Sequence, residues 1–194
     1  MDTIIASIVT AVGTLCATFL SIKWKQNHDY KQKSKNILVE HSKRNQNVYK
    51  ALKYLMDEVN SDRVYVYEFH NGEVYYSGGS QQKFSCTYED VKDGISSEAH
   101  KSQNFRVSNF HYFVDKLLAE GGFCCTALSE IEDVTFKHLL QDRGVQSFYA
   151  VPIQTLEGKI IGLLGVDFVK NPAKSCLDLD KLQSQARIIC GYLA

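Results

Sequence analysis

The chain has 194 residues, and its 22 Lys and Arg balance its 22 Asp and Glu, so it is formally neutral. Its six cysteines include no C-x-x-C pair, which gives no basis for a zinc site or a disulfide framework and fits thiols kept reduced inside a cell. It also lacks the motifs of P-loop nucleotidases, zinc proteases and serine hydrolases, so we expect no enzyme and no bound metal.

Residues 3–22 form an uncharged run, TIIASIVTAVGTLCATFLSI. A helix of this length measures about 30 Å, which matches the hydrocarbon thickness of a bilayer. A secretory signal peptide would place basic residues before the apolar run, whereas here only Met1 and Asp2 precede it and the lysines follow it. The sequence therefore predicts a transmembrane anchor over 1–23.

Lysines dominate the stretch after the predicted anchor. Residues 23–53 carry nine Lys and Arg against Asp29 and Glu40, a net charge of +7. Basic residues beside a first span stay on the cytoplasmic side, and Trp24 suits the headgroup region. We therefore expect a single-pass protein of the inner or plasma membrane, with a basic juxtamembrane linker over 24–35 and a cytoplasmic C-terminal body. Topology explains the lysines, so they imply no nucleic-acid partner.

The body is expected to be a single α+β domain over 36–194. Its first element is a helix over 36–60, in which apolar residues recur near a 3–4 spacing and which suits a dimer stalk. In the next run, Arg63–His70, aromatic residues alternate with valines and Glu68. The run ends at an Asn-Gly pair, which predicts a strand and a tight turn. We expect the partner strand to begin at Val74.

The middle of the chain predicts several short elements. We expect a short helix over 94–103, a short strand over 105–109 and an amphipathic helix over 110–120 that ends at two glycines. A further helix is predicted over 135–143, since a glycine follows it directly.

The clearest pattern is a hairpin of two buried strands. Phe148–Ile153 and Ile160–Val166 are apolar at nearly every position, and the charged turn between them contains Gly158 where a positive φ is needed. Gly162 and Gly165 in the second strand mark close approach by another backbone or by a helix side chain.

A final helix is predicted over 177–193, with apolar residues along one side. We expect this helix and the first helix of the body to cover the second strand of the buried hairpin.

Three stretches of this sequence resemble the GAF-domain family, a group of small-molecule-sensing modules. DRVYVYEFHNG resembles the first strand of that family, KHLLQDRGVQSFYAVPI its passage from helix to core strand, and GVQSFYAVPIQTLEGKIIGLLGVDF its last hairpin. Together with the element order, the resemblance covers 36–194 and implies a GAF/PAS-like antiparallel sheet with flanking helices. A PAS-like or profilin-like sheet would share this architecture.

The resemblance also implies a ligand pocket between the sheet and the middle segments, here about 76–140. Family members bind cyclic nucleotides, tetrapyrroles, amino acids or other small effectors, while others have lost ligand binding and serve as dimerisation modules. The resemblance leaves the identity of any cofactor open.

Aromatic and hydroxyl side chains in this region suit a flat polar ligand, although they also suit an ordinary half-buried sheet. We predict a ligand site in which aromatic rings form the walls and two basic groups reach an anion, as for a nucleotide. The predicted residues are Tyr76, Phe84, Tyr88, Arg106 and His111.

Cysteines suggest one enzymatic alternative. The family includes the free methionine sulfoxide reductases, which use cysteines around the pocket, and Cys86, Cys124 and Cys125 are the candidates here. Their spacing does not reproduce the pattern of that branch, so the expectation remains no enzyme. Adjacent Cys124 and Cys125 after two glycines would also suit an exposed redox-active loop.

Two functions fit these features. The first is a membrane-anchored cytoplasmic sensor or regulatory module that binds a small effector, forms a homodimer, or does both, and regulates a partner protein that the sequence does not identify. The alternative is a ligand-free accessory or scaffold protein at the membrane, for instance a viral one. No output domain follows the last predicted helix, so we expect any signal to pass to another chain.

Overall fold

A computed structural model describes residues 2–173 and 177–194, with the side chains of 2–12 and 31–35 outside the described part. Two compact units divide the chain, the second beginning at Gln46. The first element, α1, is a continuous helix over Asp2–Val59. The predicted linker over 24–35 and the predicted stalk helix are therefore segments of one helix.

The predicted anchor lies partly outside the described residues, because side chains are described only from Gly13 onward. In the part of the chain that the structure describes, no helix has an apolar stretch of the length and hydropathy needed to cross a membrane. Leu15, Phe19 and Ile22 in the second half of the predicted span are exposed apolar side chains. The anchor stays a prediction from the sequence.

The second unit is built on a six-stranded antiparallel sheet in the order β3-β2-β1-β6-β5-β4. The strands are β1 Arg63–Val74, β2 Ser80–Val91, β3 Phe105–Arg106, β4 Phe123–Cys125, β5 Ser147–Gln154 and β6 Ile160–Phe168. The remaining α-helices are α2 His111–Glu120, α3 Val134–Asp142 and α4 Leu179–Leu193. This arrangement confirms the predicted α+β fold with flanking helices.

Local sequence signals set the helix ends. Gly121 ends α2 with φ 68 in the left-handed region, where a residue with a side chain is strained. Asp133 caps the first turn of α3 by accepting a hydrogen bond from the backbone N–H of Phe136, and Asp178 caps α4 in the same way.

The two faces of the sheet have different cores. On the helical face, aliphatic side chains of the central strands pack against α1 and α4, and this cluster includes Leu52, Leu55, Leu164, Leu182 and Ile189. On the opposite face, which we call the aromatic face, rings from the strands pack against α2 and α3. Period-two alternation along β1 sends Val64 and Val66 to the helical face and Tyr65 and Tyr67 to the aromatic face.

The first hairpin turns later than predicted. β1 continues past Asn71, which pairs with Gln82, and the turn lies at 75–79, where Gly78 has φ 81. The Asn-Gly pair therefore lies inside the ladder, because the strands stay paired beyond it and Gly72 has no positive φ.

The middle segment is less helical than predicted. Within 94–103 the structure has only a 3-10 turn at Ala99–Lys101, and 105–109 divides into β3 and a 3-10 helix. The edge strand β4 was not predicted, because its three residues are too few to show a period.

α1 and α4 cover β6 as predicted, but the close approach at Gly165 comes from the opposite face of the sheet. Gly165 lies opposite Tyr65 and Ala150 on the aromatic face, and a Cβ at this position would lie 2.4 Å from the Tyr65 ring. The helices cover the strand at the neighbouring residues Leu164 and Val166.

Candidate functional site

The candidate site is the space between the aromatic face and helices α2 and α3, which the resemblance marks as a ligand pocket. Aromatic rings from strands, turns and both helices meet there. We call this set the aromatic layer, and it comprises Tyr65, Tyr67, Phe84, Phe105, Phe110, Phe113, Phe123, Phe136 and Phe148.

The rings of the aromatic layer interlock. Phe113 and Phe136 stack with ring centroids 4.2 Å apart, and Phe136 meets Phe148 edge to face at 5.2 Å. The same geometry joins Tyr67 to Phe84 at 5.3 Å. Edge-to-face and offset pairs of this kind add to the stability gained by burying the rings.

Little space remains inside the aromatic layer. The cavity bounded by its rings and by Leu140, Arg143 and Leu163 measures about 20 Å³. This volume holds about one water molecule, whereas pockets for small effectors measure roughly 300–1,000 Å³. In this conformation the side chains of the protein itself occupy the position of the expected ligand.

One cation enters the edge of the aromatic layer. The Arg143 guanidinium donates hydrogen bonds to the Tyr67 hydroxyl at 3.0 Å and to the Ser102 hydroxyl at 2.8 Å. It also lies over the Phe105 ring, 5.7 Å from the centroid. Arg143 thus joins the end of α3 to the sheet and to the loop before β3.

A buried polar network lies on the same face. Arg63 and Asp167, each 1% exposed, form an ion pair at 2.7 Å between neighbouring strands. The Tyr65 hydroxyl donates to the other oxygen of Asp167 at 3.0 Å, and the Nε of Arg63 lies 3.5 Å from Glu89. These contacts compensate charges whose burial would otherwise be unfavourable.

Glu89 fastens the loop before β3. Its carboxylate accepts hydrogen bonds from the backbone N–H groups of Glu98 and Ala99 and from the Ser97 hydroxyl. Arg63 contributes a further contact by donating to the Ser96 carbonyl at 3.0 Å. The loop is therefore held on the sheet by polar contacts.

Burial shifts the titration of these groups. It raises the pKa of Tyr65 well above the ordinary value, and the neighbouring Asp167 carboxylate adds to the shift. Burial also raises the pKa of Tyr67, although Arg143 opposes that shift. The pKa of Asp167 is raised by burial against the opposing effect of Arg63.

The predicted pair Phe84 and Tyr88 does not share a cavity. Phe84 lies in the aromatic layer, whereas Tyr88 belongs to the helical face, where its ring meets Tyr49 at 5.7 Å. The cause is a β-bulge at Thr87, the extra residue between the pairs formed by Cys86 and Tyr88. One extra residue reverses the alternation of side chains along a strand.

The other predicted ligand residues also lie outside the aromatic layer. Tyr76 is fully exposed in the turn of the first hairpin. Arg106 is exposed and pairs with Lys83, on the face opposite to Phe84, and His111 is exposed at the first position of α2. The structure brings none of these three to the candidate site, and their role in ligand binding stays a prediction.

Two of the candidate cysteines are buried thiols. Burial raises the pKa of Cys86 to about 12 and that of Cys125 to about 11, so both are thiols at neutral pH. Cys124 is disulfide-bonded, contrary to the expectation of reduced thiols, while Cys176 lies outside the described residues. Among the described residues, no group of His, Cys, Asp and Glu has the arrangement of a metal site.

Sequence reasoning missed the polar residues of the site. The sequence pattern predicts Arg143 only as the end of a helix and Arg63 only as the start of a strand. Asp167 was the available signal, because it is a single charge inside the otherwise apolar run of β6. A charge in a buried strand needs a partner, and that requirement points to a cation on a neighbouring strand.

Comparison with known proteins agrees with this geometry. The family model of the GAF domain matches residues 44–184. The curated proteins include no match.

Among solved structures, GAF3 of Slr1393 from Synechocystis in its photoproduct state superposes with a TM-score of 0.59 at 15% identity, covering 77% of this chain and 92% of that one. The blue-light absorbing form of the PixJ GAF domain from Thermosynechococcus elongatus gives 0.59 at 17% identity, with coverages of 80% and 86%. A far-red absorbing dark state of JSC1_58120g3 with bound biliverdin IXa gives 0.55 at 12% identity, with coverages of 73% and 84%.

The family match extends over most of the chain, and the solved structures share its fold. The chain therefore belongs to the GAF domain family.

Proposed function

We propose that this GAF domain is a regulatory module that is held at a membrane by its N-terminal helix and that acts through protein contacts. This function requires no large effector inside the aromatic layer. The observation that carries the proposal is the closed aromatic layer, whose cavity of about 20 Å³ is too small for a nucleotide or a tetrapyrrole.

The helical layer is the proposed contact surface. α1 and α4 cover the helical face with their inner sides, and they leave the apolar residues Tyr54, Ile188 and Tyr192 exposed. Exposed apolar side chains on adjacent elements are typical of interaction sites. We assign this surface to a homodimer, in which a second copy covers the outer sides of both helices.

Membrane attachment rests on the sequence of the first unit. The uncharged run over 3–22 and the lysines that follow it support an anchor with the GAF domain on the cytoplasmic side. A membrane-held dimer would present its sheet and loops to a partner protein in the cytoplasm.

The test uses the full-length chain. We expect it to remain in the membrane fraction after alkaline carbonate washing, and to run as a dimer in detergent when its mass is measured by light scattering. Tyr54→Glu should shift the mass to that of a monomer, whereas Tyr76→Glu in the exposed turn should leave the dimer unchanged. A carbonate-soluble chain or a monomeric wild type would contradict the proposal.

Effector binding is the second candidate, and Arg143 is the observation that favours it. Its guanidinium adjoins the small cavity and donates hydrogen bonds to two hydroxyl groups, so a planar anion could replace them if the rings moved apart. A thermal-shift screen of nucleotides, cyclic nucleotides and amino acids distinguishes an effector-binding sensor from a ligand-free module. A shift that Arg143→Met removes would favour the sensor function, and native mass spectra without a bound molecule would favour the ligand-free module.

A further inference from the structure

The loop between β2 and β3 is bounded by two sharp turns. Gly94 and Asn104 both have positive φ, at 77 and 59, and each changes the direction of the chain. Outside these turns the chain belongs to the sheet, because β2 ends at Val91 and β3 begins at Phe105. We call the segment between the turns, 95–103, the strap.

Apolar packing contributes little to holding the strap in place. Its apolar residues are Ile95 and Ala99, and both are only half-buried. Burial of apolar surface is the main source of stability in a folded chain, and segments with few such contacts open at a lower free energy than the core. The position of the strap therefore depends on its polar contacts.

Two charged side chains supply those polar contacts. The Glu89 side chain is 4% exposed and accepts hydrogen bonds from the backbone N–H groups of Glu98 at 2.9 Å and of Ala99 at 3.1 Å. The Arg143 guanidinium donates to the Ser102 hydroxyl at 2.8 Å. Hydrogen bonds that involve a charged group are stronger than those between neutral groups. The strap is thus fastened at two points, one on β2 and one at the end of α3.

The strap closes one edge of the aromatic layer. The backbone N–H of Cys86 donates to the Ser102 carbonyl at 2.8 Å, and the Gln103 side chain donates to the Cys86 carbonyl at 2.7 Å. Cys86 is buried in the core of the aromatic face and pairs with Tyr67 across the two strands. The Tyr67 hydroxyl accepts a hydrogen bond from Arg143, as Ser102 does. Displacement of the strap would therefore remove contacts from Cys86 and from Arg143 together.

From these contacts we infer that the strap is a cover that opens as a unit, between the turns at Gly94 and Asn104, while the sheet stays folded. The open form exposes the edge of the aromatic layer at Cys86, so the strap controls access to the candidate site. Glu89 keeps the cover closed. The strap lies on the aromatic face, so this inference does not depend on the helical surface of the proposed homodimer.

Residue-resolved hydrogen exchange of the full-length chain in detergent tests the opening. The backbone amides of Cys86, Glu98 and Ala99 each donate across the boundary between strap and sheet, so we expect all three to exchange through one common opening. Their protection should lie well below that of the amides of β6 and above that of an unfolded chain. Protection equal to that of β6 would overturn the inference, because only global unfolding would then release the strap. Exchange at the rate of an unfolded chain would also overturn it, because the strap would then have no closed state.

A matched pair of substitutions on β2 tests the role of Glu89. Glu89→Gln removes the charge that accepts the N–H groups of the strap, and we expect the exchange of the three amides to accelerate roughly tenfold relative to that of β6. Asp90→Asn makes the same change at the next residue, whose carboxylate accepts from the Val91 N–H instead, and should leave that ratio unchanged. An equal acceleration of β6 in Glu89→Gln would show that Glu89 stabilises the whole domain, which would contradict its role in keeping the cover closed.

The Cys86 thiol reports whether the opening reaches the aromatic layer. Its rate of reaction with methyl methanethiosulfonate can be followed by mass spectrometry of peptides. Glu89→Gln should accelerate the labelling of Cys86 by the same factor as the amide exchange, whereas the buried thiols of Cys125 and Cys190 should keep their rates. Faster amide exchange without faster labelling of Cys86 would mean that the strap moves without uncovering the layer, and would overturn its control of access.

Discussion

The cores on the two faces of the sheet are built from different kinds of side chains. The helical face uses aliphatic side chains under two α-helices, and its buried cluster is apolar. The aromatic face uses interlocking rings under short helices and a loop, and it also carries the Arg63 and Asp167 pair. Packing on the helical face is therefore mainly apolar and depends little on the orientation of individual side chains. Packing on the aromatic face depends in addition on polar contacts that require a defined orientation.

The largest expected effect comes from breaking the ion pair on the aromatic face. Asp167→Ala leaves the buried Arg63 guanidinium with only the more distant Glu89 carboxylate, 3.5 Å from its Nε, and we expect a loss of about 3–5 kcal/mol in the free energy of unfolding, measured by chemical denaturation. The double variant Arg63→Met with Asp167→Leu removes both charges and should cost far less. An equal loss in both variants would contradict the dependence on polar contacts.

The next effect compares equivalent leucines on the two faces. Leu52 in α1 and Leu140 in α3 are both buried, at 0% and 1% exposure. We expect each change to Ala to cost about 2–5 kcal/mol, with the larger loss at Leu52, because the long α1 relaxes less around a new cavity than the short α3. Thermal unfolding of the two variants measures the difference. A larger loss at Leu140 would reverse the comparison.

A smaller effect is expected where the ring of Tyr65 covers Gly165. Gly165→Leu inserts atoms into space that the ring fills, so we expect a loss of about 1–3 kcal/mol. Gly191→Ala in α4 is the matched control, because no atom lies within 4 Å of a Cβ there and alanine favours the helix. Unchanged stability of Gly165→Leu would mean that the ring moves aside freely.

The smallest effect is a loss of stability at high pH that arises on the aromatic face. Folding raises the pKa of Tyr65 and Tyr67 above their ordinary value of 10.0, so above pH 10 the unfolded chain releases protons that the folded chain retains. The contribution of these two tyrosines to stability should be constant below that pH and then fall by about 1.4 kcal/mol per pH unit for each tyrosine. Tyr67→Phe should make the slope shallower, and an unchanged slope would contradict this origin.

Long patterns made most of the fold predictable. The buried hairpin over 145–169, the amphipathic α2 and the final helix could be predicted because each has a long apolar pattern, and because a glycine marks the turn of the hairpin and the end of α2. The short strands β3 and β4 were missed or given wrong limits. They exist because neighbouring strands pair with them, and this information is absent from their own residues.

The candidate site was less predictable for a geometrical reason. Phe84 and Tyr88 are four residues apart, which puts them on one face of a regular strand, and the bulge at Thr87 cancels that rule. Arg143 reaches Tyr67 across 76 residues of sequence. Contacts of this range depend on the completed sheet, so local spacing could not reveal them.

The strand order also determines how the domain can assemble in time. β1 with β2 and β5 with β6 are local hairpins, and each can form within its own stretch of chain. The ladder between β1 and β6 joins them, and its ion pair connects residues 104 positions apart. Closing so long a loop is slow compared with forming a hairpin. Folding should therefore have a late, rate-limiting step in which the two preformed hairpins pair along β1 and β6 and form the Arg63–Asp167 ion pair.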